Sequence, residues 1–557
     1  MSEKQPQKTK EKNDDFLMQG MILAIAMVMT KVIGVLYRIP LTNILGDAGN
    51  GFYGYAYEVY AMALMLSSFS LPTAVSKLVS ERMAKRQRRN AFRVFICSMV
   101  FSVIVGIAVA LLIFFGADFI SVHIMESPLS AYALKVLASG LFIVAVLGVL
   151  RGYFQGLGTM IPTAVSQIIE QVVNAVVSIA GASVLFQMGT KAGEKAGEEL
   201  LGHAYGAAGG TLGTVGGALF ALLFLLFVFY AYHGILKRQL RKDKTRHPES
   251  YRRILKILLI TIAPVIFSTA IYNINQILDL TIFNKIMVMQ GYTEKEYMAL
   301  QGIYTGKYNT LINVPLAMAN GLAASVISSL AAAVAVSKKR QIHGKIEQTI
   351  RLTMLIAIPC FAGFVVLASP IMVFIYGDAS FTPAALLAAG AVTVILYCLS
   401  TVTNSILQGL DQMAAPARNA GISLVIHLAA LFLMLGVFKW NIFALVGSNI
   451  VFSICMCILN MRDIHNTCGY RQEIKKTFLI PFAAAGIMGA AAFGVYHLFD
   501  KLIGGRFIPV IIAIMIAVVV YAVGILKLGV LTEEEILMLP MGGRLLGLVK
   551  KFHLLTR

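Results

Sequence analysis

The sequence predicts an all-α polytopic membrane protein. It would have fourteen transmembrane helices, arranged as two six-helix lobes related by an axis along the membrane normal, plus a C-terminal helix pair. Three observations carry that prediction. The chain is 58% hydrophobic and only 13% charged, with a mean hydropathy of +0.78, whereas soluble domains carry about 25% charged residues. Its apolar residues gather into runs of the ~20 residues that a helix needs to cross a bilayer. A motif also recurs half a chain apart: Phe154-Gln155-Gly156-Leu157 with Met160 and Pro162, then Leu407-Gln408-Gly409-Leu410 with Met413 and Pro416.

Runs long enough to cross fall at 16–39, 53–80, 91–115, 131–150, 162–186, 212–236, 256–280, 303–336, 349–369, 384–408, 417–438, 441–461, 476–499 and 506–528. The first follows a polar tail (1–15). It is expected to be retained, because it is too long for a signal-peptide core and ends in Arg38-Ile39-Pro40 rather than in small residues. Spans 1 to 6 (16–236) and 7 to 12 (256–461) form the two copies. Six crossings are an even number, so both copies keep one orientation. Leu71-Pro72-Thr73-Ala74-Val75 and Leu322-Ala323-Ala324-Ser325-Val326 keep nearly the same offset, each ahead of a basic loop.

Between the copies lies a basic linker, 237–255. The Gly-rich stretch 189–217, interrupted by Glu194, Glu198 and Glu199, reads as a flexible loop running into closely packed helices. Spans 13 and 14 (476–528) lie outside the duplication. After them Thr532-Glu533-Glu534-Glu535 reads as a capping box, opening an amphipathic tail (529–557) that would lie on the membrane interface.

The side shared by the N-terminus, counted with the span ends that border it, holds 35 of the 47 Lys and Arg, against 7 on the other side. That asymmetry predicts cytoplasmic N- and C-termini. It also explains the net charge of +20 as topology and contact with anionic membrane lipid. No pattern of stacking aromatics in a basic groove points to nucleic acid. Five of the six cysteines fall inside apolar spans, with no disulfide framework and no metal-ligand spacing.

Few ionisable residues lie within spans, and each costs at least about 2.5 kcal/mol to insert unless it serves a cavity or a partner. Lys31, Gly34, Val35 and Arg38 follow i, i+3, i+4, i+7 spacing, so both cations share one helix face with a gap at Gly34. This reads as half of an anion-receiving surface, with snorkelling to the interface as the plainer alternative, most of all for Arg38. Glu58 in span 2 would balance one cation, and Lys307 opens span 8 beside Asn309. Together the three cations and Glu58 amount to roughly +2, close to the charge of a pyrophosphate. Asn273, Asn275, Gln276 and Asp279 read as a wet wall on span 7. Glu170, Asn174 and His427 are weaker candidates. No nucleophile, base and orienter fall together, so no catalytic residue is assigned.

These features resemble the stage V sporulation protein B-like polysaccharide transporters of Gram-positive bacteria. That branch of the multidrug/oligosaccharidyl-lipid/polysaccharide exporter superfamily includes lipid II flippases of the MurJ type. The resemblance rests on the span count, the duplication, the Lys31-x-x-Gly34 face and the tail Leu531-Thr532-Glu533-Glu534-Glu535-Ile536 to Leu539-Pro540. It implies lobes that open alternately to either side and pass a lipid-linked sugar across a bacterial cell membrane. It also implies a polyprenyl groove at spans 13 and 14, and association with cell-wall synthesis proteins.

In MurJ-type members an Arg three residues before a Gly lines the cavity, and Lys31 matches it. Tyr304-Thr305-Gly306-Lys307 resembles their Tyr-x-x-Arg entry to span 8. Lys lacks the bidentate phosphate grip of Arg. Ile274-Asn275 and Asp279 resemble a sodium-binding segment, but the span 11 acid of those members has no counterpart here, where His427 lies nearby. Sodium or proton coupling is thus left open beside the membrane potential. The resulting expectation is a non-enzymatic flippase for an undecaprenyl-pyrophosphate-linked precursor, with Lys31, Arg38, Glu58, Lys307, Asn273 and Asn309 on substrate and Asp279 and Asn275 on any coupling cation. Another lipid-linked polysaccharide exporter, a cation-drug antiporter, a membrane glycan polymerase and a non-transporting scaffold are the alternatives. The antiporter is disfavoured because span 1 has no acid.

Overall fold

The computed structural model describes the backbone of residues 5–530 except 69–70, 244, 246–247, 336–338 and 506, together with Gly547. Side chains are described chiefly from residue 29 onward, with the main gap at 263–273. The capping box predicted at 532–535 lies outside the described residues. By packing, the chain forms two compact units, Met1–Gly306 and Lys307–Arg557. Among the described residues there are helices and no strands, and ten of the helices are long and apolar enough to cross a membrane. Those ten correspond to predicted spans 3 to 6 and 9 to 14.

The first unit starts with α1 (Gln5–Ser67), whose 63 residues would extend ~95 Å if straight, about three bilayer cores. It is not straight. Gly46 breaks it with φ 66° and ψ 178°, a conformation open essentially to glycine alone. The break is stitched from both sides. Asn50 Nδ2 donates to the carbonyls of Thr42 (2.9 Å) and Gly46 (2.7 Å), and His203 Nδ1 lies 2.8 Å from the Leu45 oxygen. Predicted span 2 is therefore split, its first part ending α1 and the rest forming α2 (Leu71–Ala84).

Four long helices follow: α3 (Arg88–Phe119), α4 (Ala131–Gly156), α5 (Ile161–Ala196) and α6 (Leu201–Arg241). They overturn the flexible-loop reading of 189–217, because only residues 197–200 separate α5 from α6. The glycines there are contact points instead. A Cβ at Gly209 would fall 2.2 Å from the Gly181 oxygen, and one at Gly217 2.4 Å from the Glu170 oxygen. With no hydrophobic force between helices in lipid, close backbone approach through small residues is what holds such a seam. The unit closes with α7 (Tyr251–Met289) and α8 (Glu294–Gly302), the latter opened by a capping box of Thr293 and Glu296.

In the second unit, a π-helical turn at Ile303–Tyr308 runs across the unit boundary into α9 (Asn309–Ala335). Then come α10 (Lys339–Val366), α11 (Ala368–Tyr376), α12 (Phe381–Gly390), α13 (Val392–Gly409), α14 (Ala414–Phe432), α15 (Phe443–Cys468), α16 (Ile480–Leu502) and α17 (Ile508–Lys527). Predicted span 10 is interrupted at Ala391, between α12 and α13. The Tyr308 ring occupies the space a Cβ on Gly390 would need, 2.4 Å away, and its hydroxyl bonds Thr393 Oγ1 at 2.9 Å.

Candidate functional site

In the first unit, α1 and α5 run side by side in a fixed register. Gly34 faces the Gln171 amide, which a Cβ would meet at 3.2 Å, and Tyr37 accepts a hydrogen bond from Asn174 Nδ2 at 3.3 Å. Both pairs are offset by the same number of residues, so Gln171 and Asn174 of α5 form a polar stripe facing the gap between Lys31 and Arg38. Lys31 is solvent-exposed, and among the described residues no carboxylate lies within ion-pair distance of it. The Arg38 guanidinium sits 4.2 Å above the Tyr53 ring, and Tyr53 stacks on Tyr57 (6.1 Å), which meets Tyr60 (5.9 Å). Glu58 is half-buried, within electrostatic range of Arg38. The structure thus brings Lys31, Arg38 and Glu58 onto one wall of one unit.

That wall contains a pair the sequence reading missed. Predicted span 4 stopped at 150, but α4 continues to Gly156. Arg151 therefore lies inside it and binds Glu170 of α5 at 2.6 Å and Ser166 Oγ at 3.0 Å. Glu170 is consequently neutralised within the wall. The missing signal was continuity: Arg151-Gly152-Tyr153-Phe154 prolongs the apolar run instead of ending it.

In the second unit, Lys307 is only 6% exposed and its Nζ lies 2.6 Å from Asp378 Oδ2. Asp378 belongs to the turn after α11 and also accepts from the Ser380 backbone N–H at 2.8 Å. Although burial opposes ionisation, the hydrogen bonds from Lys307 and Ser380 hold this carboxyl below its ordinary range. Lys307, expected to face the substrate as a free cation, is instead buried and paired, so the roughly +2 assembled from four groups falls to that of Lys31, Arg38 and Glu58. Asn309 is half-buried just beyond the π-turn.

The wet wall expected on α7 divides. Asn275 and Asp279, one turn apart, are buried at 6% and 2% exposure, while Gln276 is exposed. Asn275 Oδ1 has no hydrogen-bond partner among the described residues. The side chain of Asn273 lies outside the described residues. His427 of α14 is fully buried, with its ring edge-on to Phe452.

Beyond Asp279, α7 and α8 weld to the α1 kink. Asn284 Nδ2 donates to the Met125 oxygen at 2.7 Å and its Oδ1 accepts from Gln301 Nε2 at 2.8 Å. Tyr55 and Thr281 share a hydroxyl–hydroxyl bond, Ser127 Oγ donates to Glu294 at 3.0 Å, and the Tyr297 hydroxyl donates to the Glu126 carbonyl. A Cβ on Gly302 would land 1.7 Å from the Asp47 oxygen, and one on Gly51 2.2 Å from that of Met298. Burial raises the Glu294 carboxyl above its ordinary range, against the Ser127 hydrogen bond. These contacts tie α7 and α8 to the kinked part of α1.

Two family models match, "Polysaccharide biosynthesis protein" over residues 16–327 and "Lipid II flippase MurJ" over 195–517. The lipid II flippase MurJ of Bacillus subtilis (strain 168) is 24% identical over 429 residues, covering 73% of this chain and 75% of that protein. Stage V sporulation protein B of the same organism is 24% identical over 419 residues, covering 75% and 77%. A solved structure of lipid II flippase MurJ in an inward closed conformation has the same fold at TM-score 0.63 and 14% identity, over 90% of this chain and 98% of that one. With more than half of its length matched by each model, the chain belongs to the MurJ-like flippases of the multidrug/oligosaccharidyl-lipid/polysaccharide exporter superfamily.

Proposed function

We propose that this protein carries an undecaprenyl-pyrophosphate-linked peptidoglycan precursor, lipid II, from the inner to the outer leaflet of a bacterial cell membrane by alternating access. The reading takes fourteen spans in two six-helix lobes, a helix pair for the polyprenyl tail and both termini in the cytoplasm. The observation that carries it is the exposed Lys31 beside the polar stripe of α5, a cation in an apolar span with no carboxylate within ion-pair distance among the described residues. Such a cation is costly unless an anion or water meets it. Arg38, backed by the Tyr53 ring, adds a second positive group on the same face. An inside-negative potential would favour outward passage of an anionic headgroup by about 2.3 kcal/mol per charge per 100 mV. Asp279 with Asn275 is the place where a coupling cation would act, and Lys307, Asn273 and Asn309 would lie along the headgroup path.

The test is reconstitution of the full chain into vesicles loaded with lipid II or with other undecaprenyl-pyrophosphate glycans, measuring which headgroup becomes accessible on the opposite leaflet. Movement of lipid II supports the reading, and failure with every lipid-linked glycan overturns it. The match to the polysaccharide family keeps one second reading, a different lipid-linked glycan, and the same assay separates the two. Orientation is tested apart from transport. A cysteine replacing Lys242 should be shielded from an impermeant thiol reagent in intact cells and one replacing Lys195 should react; the reverse would overturn the topology.

A further inference from the structure

The basic segments were read as topology determinants, but in the first unit they fall into two structural classes. Arg82 and Arg93 are spent on the fold. Arg82 pairs with Glu249 at 2.6 Å, and Arg93 donates to the Glu249 carbonyl at 2.7 Å with its guanidinium 5.2 Å over the Tyr251 ring. These contacts, with the Glu249 backbone N–H bound to Asn90 Oδ1 at 2.9 Å, fix Glu249 just ahead of α7. By contrast, Arg88, Arg89, Lys237, Arg238, Arg241 and Lys242 are exposed, and none of them has a side-chain ion pair among the described residues.

They line two cavities where α3 begins and α6 ends, which fall on opposite faces of α6. The larger, about 550 Å³, has walls of Phe92, Ile96, Leu236 and Leu240 and a rim of Arg89, Arg93, Lys237 and Arg241. The second, about 400 Å³, is rimmed by Arg88, Arg238 and Lys242. No carboxylate lines either cavity. Nearby Asp243 is occupied by the Arg89 backbone N–H (2.5 Å) and by Thr245 Oγ1 (2.7 Å), and Glu249 by Arg82.

Apolar walls beneath a cationic rim fit an amphiphile with a phosphate head, and a soluble anion would leave those walls wet. We propose that the larger cleft is a binding site for anionic glycerophospholipid of the leaflet on the linker's side, distinct from the path of the transported lipid. The bound lipid bridges α3, α6 and the start of α7, so it stabilises the first unit. This extends beyond the proposed transport reaction and does not depend on which glycan is carried.

The test uses the purified full chain in neutral detergent, titrated with short-chain phosphatidylglycerol or phosphatidylcholine while thermal unfolding is followed. Phosphatidylglycerol should raise the Tm saturably and phosphatidylcholine should not. Arg89→Gln/Lys237→Gln/Arg241→Gln should weaken the response roughly a hundredfold in lipid concentration, on the basis of about fivefold per cation near a phosphate surface. Lys339→Gln/Arg340→Gln/Lys345→Gln, equal in charge but outside the cleft, should keep it. The proposal is overturned if the two triple variants lose the response equally, if inorganic phosphate alone reproduces it, or if lipid II displaces the phosphatidylglycerol stoichiometrically.

Discussion

Lys31 and Lys307 are the same residue in the same kind of sequence, each within an apolar stretch, and folding gives them opposite surroundings. Lys307 is buried and held 2.6 Å from Asp378. Lys31 is exposed on α1, facing amides of α5, with no acid in ion-pair reach among the described residues. A buried ion pair recovers only part of its desolvation cost from its partner, but removing one partner strands the other, so the Lys307 charge is compensated within the fold that contains it. Among the described residues no acid repays Lys31. The difference places an exposed cation without an ion-pair partner among the described residues on α1, and it predicts that one lysine will be read out by transport and the other by stability.

The largest effect is expected at Lys31. Lys31→Gln keeps polar reach without charge and should lower precursor translocation at least ~10-fold, as loss of a charge-assisted contact of 1.5 kcal/mol or more would. Membrane abundance and Tm should stay near those of the parent chain, and Lys31→Arg should retain much of the transport. Full translocation by Lys31→Gln in matched vesicles would erase the contrast between the lysines.

Lys307 should behave in the reverse manner. Lys307→Ala strands Asp378 and is expected to cost about 3 kcal/mol of stability, whereas Lys307→Ala/Asp378→Ala should recover much of that loss, a non-additivity measurable by thermal unfolding. The pH dependence follows from the depressed Asp378 carboxyl. A group whose folded pKa is lowered contributes stability above its unfolded value, about 3.9 for Asp. That contribution disappears as the pH falls through the folded value. The Tm gap between the parent chain and Asp378→Asn should therefore be full at pH 6 and narrow below about pH 4. A gap that stays constant would mean the pair is not the source of the stability.

How much of this was legible beforehand depended on whether local pattern or tertiary partner decided the outcome. Spans 3 to 6 and 9 to 14 followed from hydropathy, because length and apolar content alone set them. The 189–217 segment was misread because glycine density signals a loop in water but a contact seam in a membrane, as Gly181 against Gly209 shows. The shared face of Lys31 and Arg38 was readable from helical spacing. Asp378 was not, since it sits in a turn that hydropathy discards and meets Lys307 across 71 residues. Arg151 with Glu170 failed for a similar reason, a span ended one residue too soon.

Arg38 should give the smallest effect, and it refines the comparison by lying between the two lysines in character. It shares the α1 face of Lys31, yet the Tyr53 ring at 4.2 Å and nearby Glu58 supply part of the compensation that Lys31 lacks. A cation over an aromatic ring is worth about 0.5–2 kcal/mol according to its exposure. Arg38→Ala should therefore cost roughly 1 kcal/mol of stability and reduce translocation less than Lys31→Gln does. Tyr53→Leu separates the two contributions, because it removes the ring and keeps both cations. It should reproduce the stability loss of Arg38→Ala while leaving translocation near the parent level. If Tyr53→Leu instead abolished transport at unchanged Tm, the aromatic ladder of Tyr53, Tyr57 and Tyr60 would be part of the substrate path, and the functional surface would extend past the charges that sequence spacing identified.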